Sequence, residues 1–404
     1  MREIQKLRIS IGRPVEGDNF FAREHALQEH WETLQENNIL LLSPRRVGKT
    51  SLMKKLKATA ESNLFSAVYL SVEGLNTEQA FVKRLYESVI EAGSQRRKQI
   101  IDKLTKLFPK KITYHKTSVE FEASIQKQWR ELGEALLGSL SELSGETRWL
   151  LMIDELPIFL MSLKEQSDDG EKRIREFLHW LRHLRQGTSQ LEHIRWLFAG
   201  SIGLDTVTEE LSLTGTINDL YPTELGAFDP ETARELLQQL GHTYDLELSE
   251  EAQDRVLEKV RWPIPYFLQL VFSKVRKLSQ AQRTSPTPDL VDEAFNELMS
   301  LGSRSYFDHW HQRLKMEFST LSYPIAQIVL RTIAQSSEGS KRSTLSRALG
   351  QILPDKNERS KQLGMLLRNL EREGYIQEKR TETQSKYVFR SALLQEYWLR
   401  YYCD

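Results

Sequence analysis

Two stretches of the chain carry residue types suited to phosphate chemistry. Residues 39–56 read Ile-Leu-Leu-Leu-Ser-Pro-Arg-Arg-Val-Gly-Lys-Thr-Ser-Leu-Met-Lys-Lys-Leu. An apolar run ends at Ser43, and Gly48, Lys49 and Thr50 follow at the spacing G-x-x-x-x-G-K-[ST], with serine in place of the first glycine. Such a loop needs a buried strand, a turn of forward-pointing amides and then a helix N-terminus. Gly48 lets the backbone approach phosphate closely. Lys49 pairs with the β and γ phosphates, and the Thr50 hydroxyl ligates Mg²⁺. Ser43 closes the turn and is expected to be tolerated, being small and polar. Pro44 stiffens the turn, and Arg45, Arg46, Val47 and Ser51 complete the nucleotide-binding stretch.

The second stretch, residues 149–157, is Trp-Leu-Leu-Met-Ile-Asp-Glu-Leu-Pro, an apolar strand ending in two carboxylates. Asp154 at the strand tip can hold Mg²⁺ through water, and Glu155 can act as the general base on an attacking water. A third apolar run, 195–199, leads into Ala-Gly-Ser, and Ser201 is the candidate sensor of a γ-phosphate. A solvated acidic strand end or a plain Gly-Ser turn would account for either feature alone. The loop and the paired acids together point to Mg²⁺-dependent binding and hydrolysis of a nucleoside triphosphate, with ATP and GTP both open at this point.

These residues require a particular scaffold. Short apolar runs at 39–42, 67–72, 149–153 and 195–199, with a weaker one near 217–222, read as buried strands. Helical stretches separate them, so the expectation is a parallel sheet with crossover helices. After about residue 228 the strand pattern stops until 386–389, which marks a boundary. The chain has 404 residues, room for two or three domains. Lys+Arg and Asp+Glu each count 56, so nucleic acid would have to be attracted by local patches rather than by net charge. No apolar run is long enough for a membrane span, and the N-terminus lacks a signal-peptide pattern. A single cysteine, Cys403, excludes an internal disulfide and fits a cytoplasmic location.

Taken together, Ser43–Thr50, Leu151–Glu155 and Phe198–Ser201 resemble an AAA+-type P-loop ATPase. The nearer likeness is to the signal-transducing, STAND-like branch that includes the archaeal-type ATPases, relatives of origin-recognition ATPases. Residues 14–25, Pro-Val-Glu-Gly-Asp-Asn-Phe-Phe-Ala-Arg-Glu-His, resemble the family's "F-x-G-R-E" entry segment, with Ala22 at the glycine. That resemblance implies that Phe20, Phe21 and Arg23 lie against the adenine. Pro265-Tyr-Phe-Leu-Gln269 is similar to the start of the family's lid helix, with Pro263 replacing a glycine before it. The resemblance implies an α/β P-loop NTPase core of sheet order 5-1-4-3-2, a helical lid that carries Pro265 to the nucleotide, and a C-terminal winged helix. The expected division is a core at 1–228, a lid at 229–316 and a winged helix-turn-helix at 317–404. Many family members complete the site with an arginine after the fourth strand, supplied to a neighbouring subunit. Here 202–220 contains no arginine, so Arg182, Arg185 and Arg261 stand as substitutes.

Two further regions bear on partners. The link at about 76–148 is long and reads as two or three helices. Within it Arg96, Arg97, Lys98, Lys103, Lys106, Lys110, Lys111 and Lys116 face one acid, Asp102. This patch is either a solvated helical face or a surface for nucleic acid or an acidic partner. In the tail, helices at about 322–335 and 357–373, a stop at Gly374 and apolar stretches at 375–376 and 387–389 read as a winged helix-turn-helix. Arg359, Lys361, Arg368 and Arg372 lie on the candidate recognition helix and are the candidate DNA contacts. The expected function is a Mg²⁺–ATP switch acting on a protein partner, its own copies or a DNA complex. Two alternatives stand beside it. One is an ATP-licensed DNA-binding protein, initiator-like or transposition-regulating. The other is a nucleotide-held scaffold or sensor for a separate effector in defence or stress.

Overall fold

The computed structural model describes residues 6–92, 97–109, 111–115, 118–186, 191–200, 203–317, 322–381 and 384–403. The chain divides into two compact units.

The first unit holds Ala22–Ser43 and Gly48–Leu225. Its strands in chain order are β1 (Asn38–Leu41), β2 (Phe65–Ser71), β3 (Ile112–Tyr114), β4 (Val119–Phe121), β5 (Arg148–Asp154), β6 (Ile194–Ala199) and β7 (Leu220–Thr223). Five of them form a parallel sheet in the order β2-β5-β6-β1-β7. Counted without the short β3–β4 pair, this is the expected 5-1-4-3-2. Trp149 to Ile153 on β5 are all fully buried, as a parallel strand covered on both faces requires. The edge strand β7 carries Pro222, whose missing N–H is tolerated there because only one neighbour needs pairing.

The region 76–148 departs from the expectation. It forms helices Glu78–Ala92, Arg97–Leu107, Ala123–Gln126 and Trp129–Glu142, and between them an antiparallel hairpin, β3–β4. Strands of three residues are too short for a period-2 pattern to stand out. What holds the hairpin is tertiary. Ile112 and Val119 are buried, and Phe121 meets Tyr86 edge-on at 5.1 Å between ring centroids. Helix Trp129–Glu142 packs on helix Gly170–Gln186 through Trp129 and Trp180, whose rings lie 4.9 Å apart. Of the basic residues, Lys103 pairs with Glu142, while Lys98, Lys106 and Lys111 are exposed. Arg96, Lys110 and Lys116 lie outside the described residues.

The second unit holds Gly226–Asp404 together with Met1–Phe21 and Pro44–Val47. The expected lid and winged helix thus fall in one unit. The lid helices are Pro230–Tyr244, Glu250–Val260, Pro265–Gln282 and Pro288–Leu298. Asp229, Ser249 and Thr287 cap three of them by accepting the backbone N–H of Thr232, Ala252 and Leu290. The N-terminal segment is tied to these helices. The N–H groups of Leu7, Ile9 and Ser10 donate to Thr243, Tyr244 and Gln269. Helix Ser305–Glu317 leads on to Ser322–Ala334, Arg342–Ala348 and Lys356–Arg372. A hairpin of β8 (Ile376–Arg380) and β9 (Ser385–Phe389) and a last helix, Ala392–Tyr402, follow. This is the expected three-helix and hairpin pattern, and Gly374 stops the third helix at φ +84°.

Candidate active site

The phosphate loop has the local structure its sequence predicts. β1 enters it, and helix Lys49–Ala58 leaves it with Gly48 as the N-terminal cap at φ +110°. An alanine there would be strained in that conformation whatever the space around it. Lys49 is buried, and its ammonium donates to the Ser43 carbonyl at 2.5 Å. Ser43 is more than a tolerated replacement. Its Oγ accepts the backbone N–H of Leu225 at 2.5 Å, which ties the start of the loop to the chain leaving β7. Glycine has no atom for that bond.

Asp154 ends β5 and is 3% exposed. Its Oδ2 accepts from the Thr50 hydroxyl at 2.9 Å and from the Tyr69 hydroxyl at 3.0 Å, and its Oδ1 accepts the Glu155 N–H. Burial, followed by the neighbouring charge of Glu155, raises the Asp154 carboxyl above the usual carboxylate range. The hydrogen bonds from Thr50 and Tyr69 and the Lys49 ammonium pull it back. Burial also raises the Tyr69 phenol, with the charge of Asp154 adding to it, so Tyr69 keeps its proton and donates the hydrogen bond to Asp154 at any ordinary pH. Glu155 caps helix Leu156–Glu165 in the left-handed region, φ +62°, an uncommon backbone state for a residue with a Cβ. Backbone strain of this kind concentrates at working sites.

The fit to Mg²⁺ follows from these donors. A hydroxyl and a carboxylate oxygen, both hard ligands, converge at the tip of β5, and Mg²⁺ takes one or two protein oxygens beside phosphate and water. Among the described residues no group of three or more His, Cys, Asp or Glu could hold a metal by itself.

The apex of the loop, Pro44–Val47, groups with the second unit. Arg46 is left-handed at φ +71°, donates to the Gly12 carbonyl at 3.1 Å and lies 4.8 Å over the Tyr266 ring. In the same unit Phe20 and Phe21 are buried, with Phe21 edge-on to Phe228 at 6.1 Å. Ala22, at the resemblance's glycine position, has φ +54°, the region glycine favours. Pro265 occupies the first turn of its helix, where its missing N–H costs nothing. Arg23 is half-buried next to Ala22.

The three substitute arginines fare differently. Arg185 has a side chain 2% exposed. It holds Asp219 through two bonds of 2.7 and 2.9 Å and donates to the Thr216 carbonyl. Those bonds give Arg185 a partner within its own unit. Arg261 donates to Gln395 at 2.9 Å within the second unit. Arg182 bonds Gln186 one turn along its own helix. The sensor candidate Ser201 lies outside the described residues. On the tail helix Lys361 and Arg368 are exposed and Arg372 is half-buried. Arg359 is held by Ser346 and by the carbonyls of Leu353 and Pro354, which gives it a structural task. Tyr69 is the site residue that sequence reading missed. Its one signal was a polar-tipped aromatic near the end of the strand that neighbours β5.

Sheet order, phosphate loop, acidic strand tip, lid and hairpin-bearing tail together define the fold of an AAA+ P-loop ATPase. Over 95% of its length the chain matches the Walker-type ATPase paby2304 of Pyrococcus abyssi, covering 97% of that chain with TM-score 0.61 and 19% identity. It also matches the ORC2 protein of Aeropyrum pernix, solved as ADPNP–ADP complexes, over 94% of this chain and 91% of that one, with TM-score 0.51 and 12% identity. No protein-family model matches the chain, and no curated protein matches its sequence. No helix among the described residues is long and apolar enough to cross a membrane.

Proposed function

We propose that this chain binds and hydrolyses Mg²⁺–ATP and uses the cycle as a conformational switch that controls a partner protein or a DNA complex. The observation that carries the switch is a contact inside the second unit. A Cβ added at Gly374, the stop of the winged-helix recognition helix, would lie 2.9 Å from the Cβ of Pro44 in the phosphate loop and 2.8 Å from the Trp262 ring. The turn that ends this helix therefore lies against Pro44, in the stretch that this reading assigns to phosphate binding. A ligand can shift a conformational equilibrium only by binding two states differently, and this contact offers such a difference.

In this reading Lys49 and the loop amides bind the phosphates, Thr50 and Asp154 hold the cation, and Glu155 takes the proton of the attacking water. The relatives' names support the ATPase class, since one is a Walker-type ATPase and the other was solved with adenine nucleotides. The test is a pair of variants. Lys49→Ala should abolish binding of a fluorescent ATP analogue. Glu155→Gln should bind it normally and lose turnover by about two orders of magnitude or more. Wild-type hydrolysis by Glu155→Gln would show that Glu155 is not the base.

A second reading rests on the exposed Lys361 and Arg368 on helix Lys356–Arg372. There ATP would license a grip on DNA through the winged helix. Binding should then weaken steeply with salt and should fall when Arg368 and Arg372 are changed together. Absence of DNA binding at low salt removes this reading.

A further inference from the structure

Asp154 is held more tightly than a strand-end carboxylate needs to be. Three donors reach it, from three separate places in the chain. Thr50 comes from the helix after the phosphate loop, Glu155 supplies its own backbone N–H, and Tyr69 arrives from β2. β2 and β5 run parallel with Tyr69 opposite Met152 and Ser71 opposite Asp154. Residues 69 and 71 share one face of the strand, because side chains alternate with period two. The phenol of Tyr69 is long enough to reach forward from its own register to the carboxylate two residues on.

Phenylalanine would pack in this half-buried position as well as tyrosine. What tyrosine adds is one hydroxyl, and that hydroxyl is placed on the same oxygen, Oδ2, that also accepts from Thr50. A hydroxyl oxygen has lone pairs to spare when it donates its proton. Thr50 can therefore donate to Asp154 while its oxygen faces a cation. The Asp154 carboxylate must keep one orientation for that arrangement to work, and the Tyr69 bond supplies a constraint that survives whatever Thr50 does. Outer partners of this kind orient metal ligands, and their loss commonly costs 10–100-fold in metal affinity.

We propose that Tyr69 is a positioning residue of the Mg²⁺ site, holding the Asp154 carboxylate in the orientation that receives the cation. This inference rests on the Mg²⁺–ATP reading of the same site. It assigns Tyr69 no contact with nucleotide and no proton transfer. Removing its hydroxyl should weaken the response to Mg²⁺ while leaving nucleotide binding without metal untouched.

The experiment is a binding titration with Tyr69→Phe. A fluorescent ATP analogue is bound first in EDTA and then with rising Mg²⁺. In EDTA the variant should bind within twofold of wild type. The Mg²⁺ concentration for the half-maximal effect should rise on the order of tenfold. An unchanged Mg²⁺ midpoint overturns the proposal. So does weakened binding in EDTA, which marks a merely structural role. A second measurement keeps the variant's folding out of the question. Fluorotyrosine placed at position 69 of the otherwise unchanged protein should show a fluorine resonance that moves when Mg²⁺ is added to the nucleotide complex. A resonance that stays put overturns the proposal. Wild-type protein that binds no ATP analogue in either condition overturns the underlying reading instead, and Lys49→Ala gives the baseline for that outcome.

Discussion

At residue scale, Ser43 is a substitution with a structural purpose. The first position of the loop usually needs only to be small. Here its hydroxyl accepts the Leu225 N–H, joining two points 182 residues apart in the chain. Ser43→Gly would restore the commoner loop pattern and remove that bond. A lost internal hydrogen bond costs about 1 kcal/mol. Chemical unfolding should therefore report a stability loss of that size, with ATP-analogue affinity retained. An unchanged unfolding midpoint would mean that the bond contributes nothing. Arg185 is the opposite case. Its ion pair with Asp219 is buried, and its guanidinium lies 5.3 Å over the Phe198 ring. Breaking a buried pair from one side strands a charge and costs about 3–5 kcal/mol. Arg185→Ala should lower the melting temperature strongly. A well-folded variant defective only in oligomer-stimulated turnover would instead favour a role as an arginine finger.

At the scale of elements, the proposed coupling rests on the turn after helix Lys356–Arg372. Gly374 is left-handed and has Pro44 and Trp262 against it. Gly374→Ala must push one of them away. The matched control is Gly339, in the same winged helix, where an added Cβ meets Val388 and the Tyr387 carbonyl instead. Both variants should lose stability. Only Gly374→Ala should change ATP-analogue affinity or turnover, because only its clash reaches the phosphate loop. Equal nucleotide behaviour in the two variants would mean that the wing turn does not communicate with the loop. Elements also explain what the sequence hid in the 76–148 region. Helices there show apolar periodicity over many residues. The β3–β4 hairpin offers three residues a side, and its stability comes from Tyr86 and the helices beneath it.

At the scale of the whole molecule, the buried His30 and the half-buried His309 make acid destabilising. His309 sits against Tyr266, and burial lowers its pKa to about 2, with Arg46, Arg45 and Arg313 adding repulsion. Burial also lowers His30, which is bonded to the Ala26 carbonyl and to Thr223. An unfolded histidine titrates near 6.5. Below that pH the unfolded chain takes up protons that the folded chain refuses, so stability falls as pH falls. Between pH 7.5 and 5.5, His309 alone should account for about 1 kcal/mol of that loss. Unfolding curves of His309→Gln across this range should decline less steeply than wild type. Parallel declines would show that His309 is not a source of the acid sensitivity.

The sequence by itself determined whatever lies within one element or one tight turn. The strand–loop–helix from Ile39 to Leu56, Asp154 and Glu155 at a strand tip, and the stop at Gly374 all follow from spacing along a continuous backbone, whose geometry is local. The order of the sheet was legible through a resemblance between motifs. Tertiary structure alone decided which distant side chains meet. Tyr69 finds Asp154 because β2 happens to neighbour β5 in that register, Arg185 is buried because Asp219 folds over it, and Pro44 meets Gly374 although 330 residues separate them in the chain. Each of these depends on packing between elements far apart in the chain, and residue spacing carries no record of that.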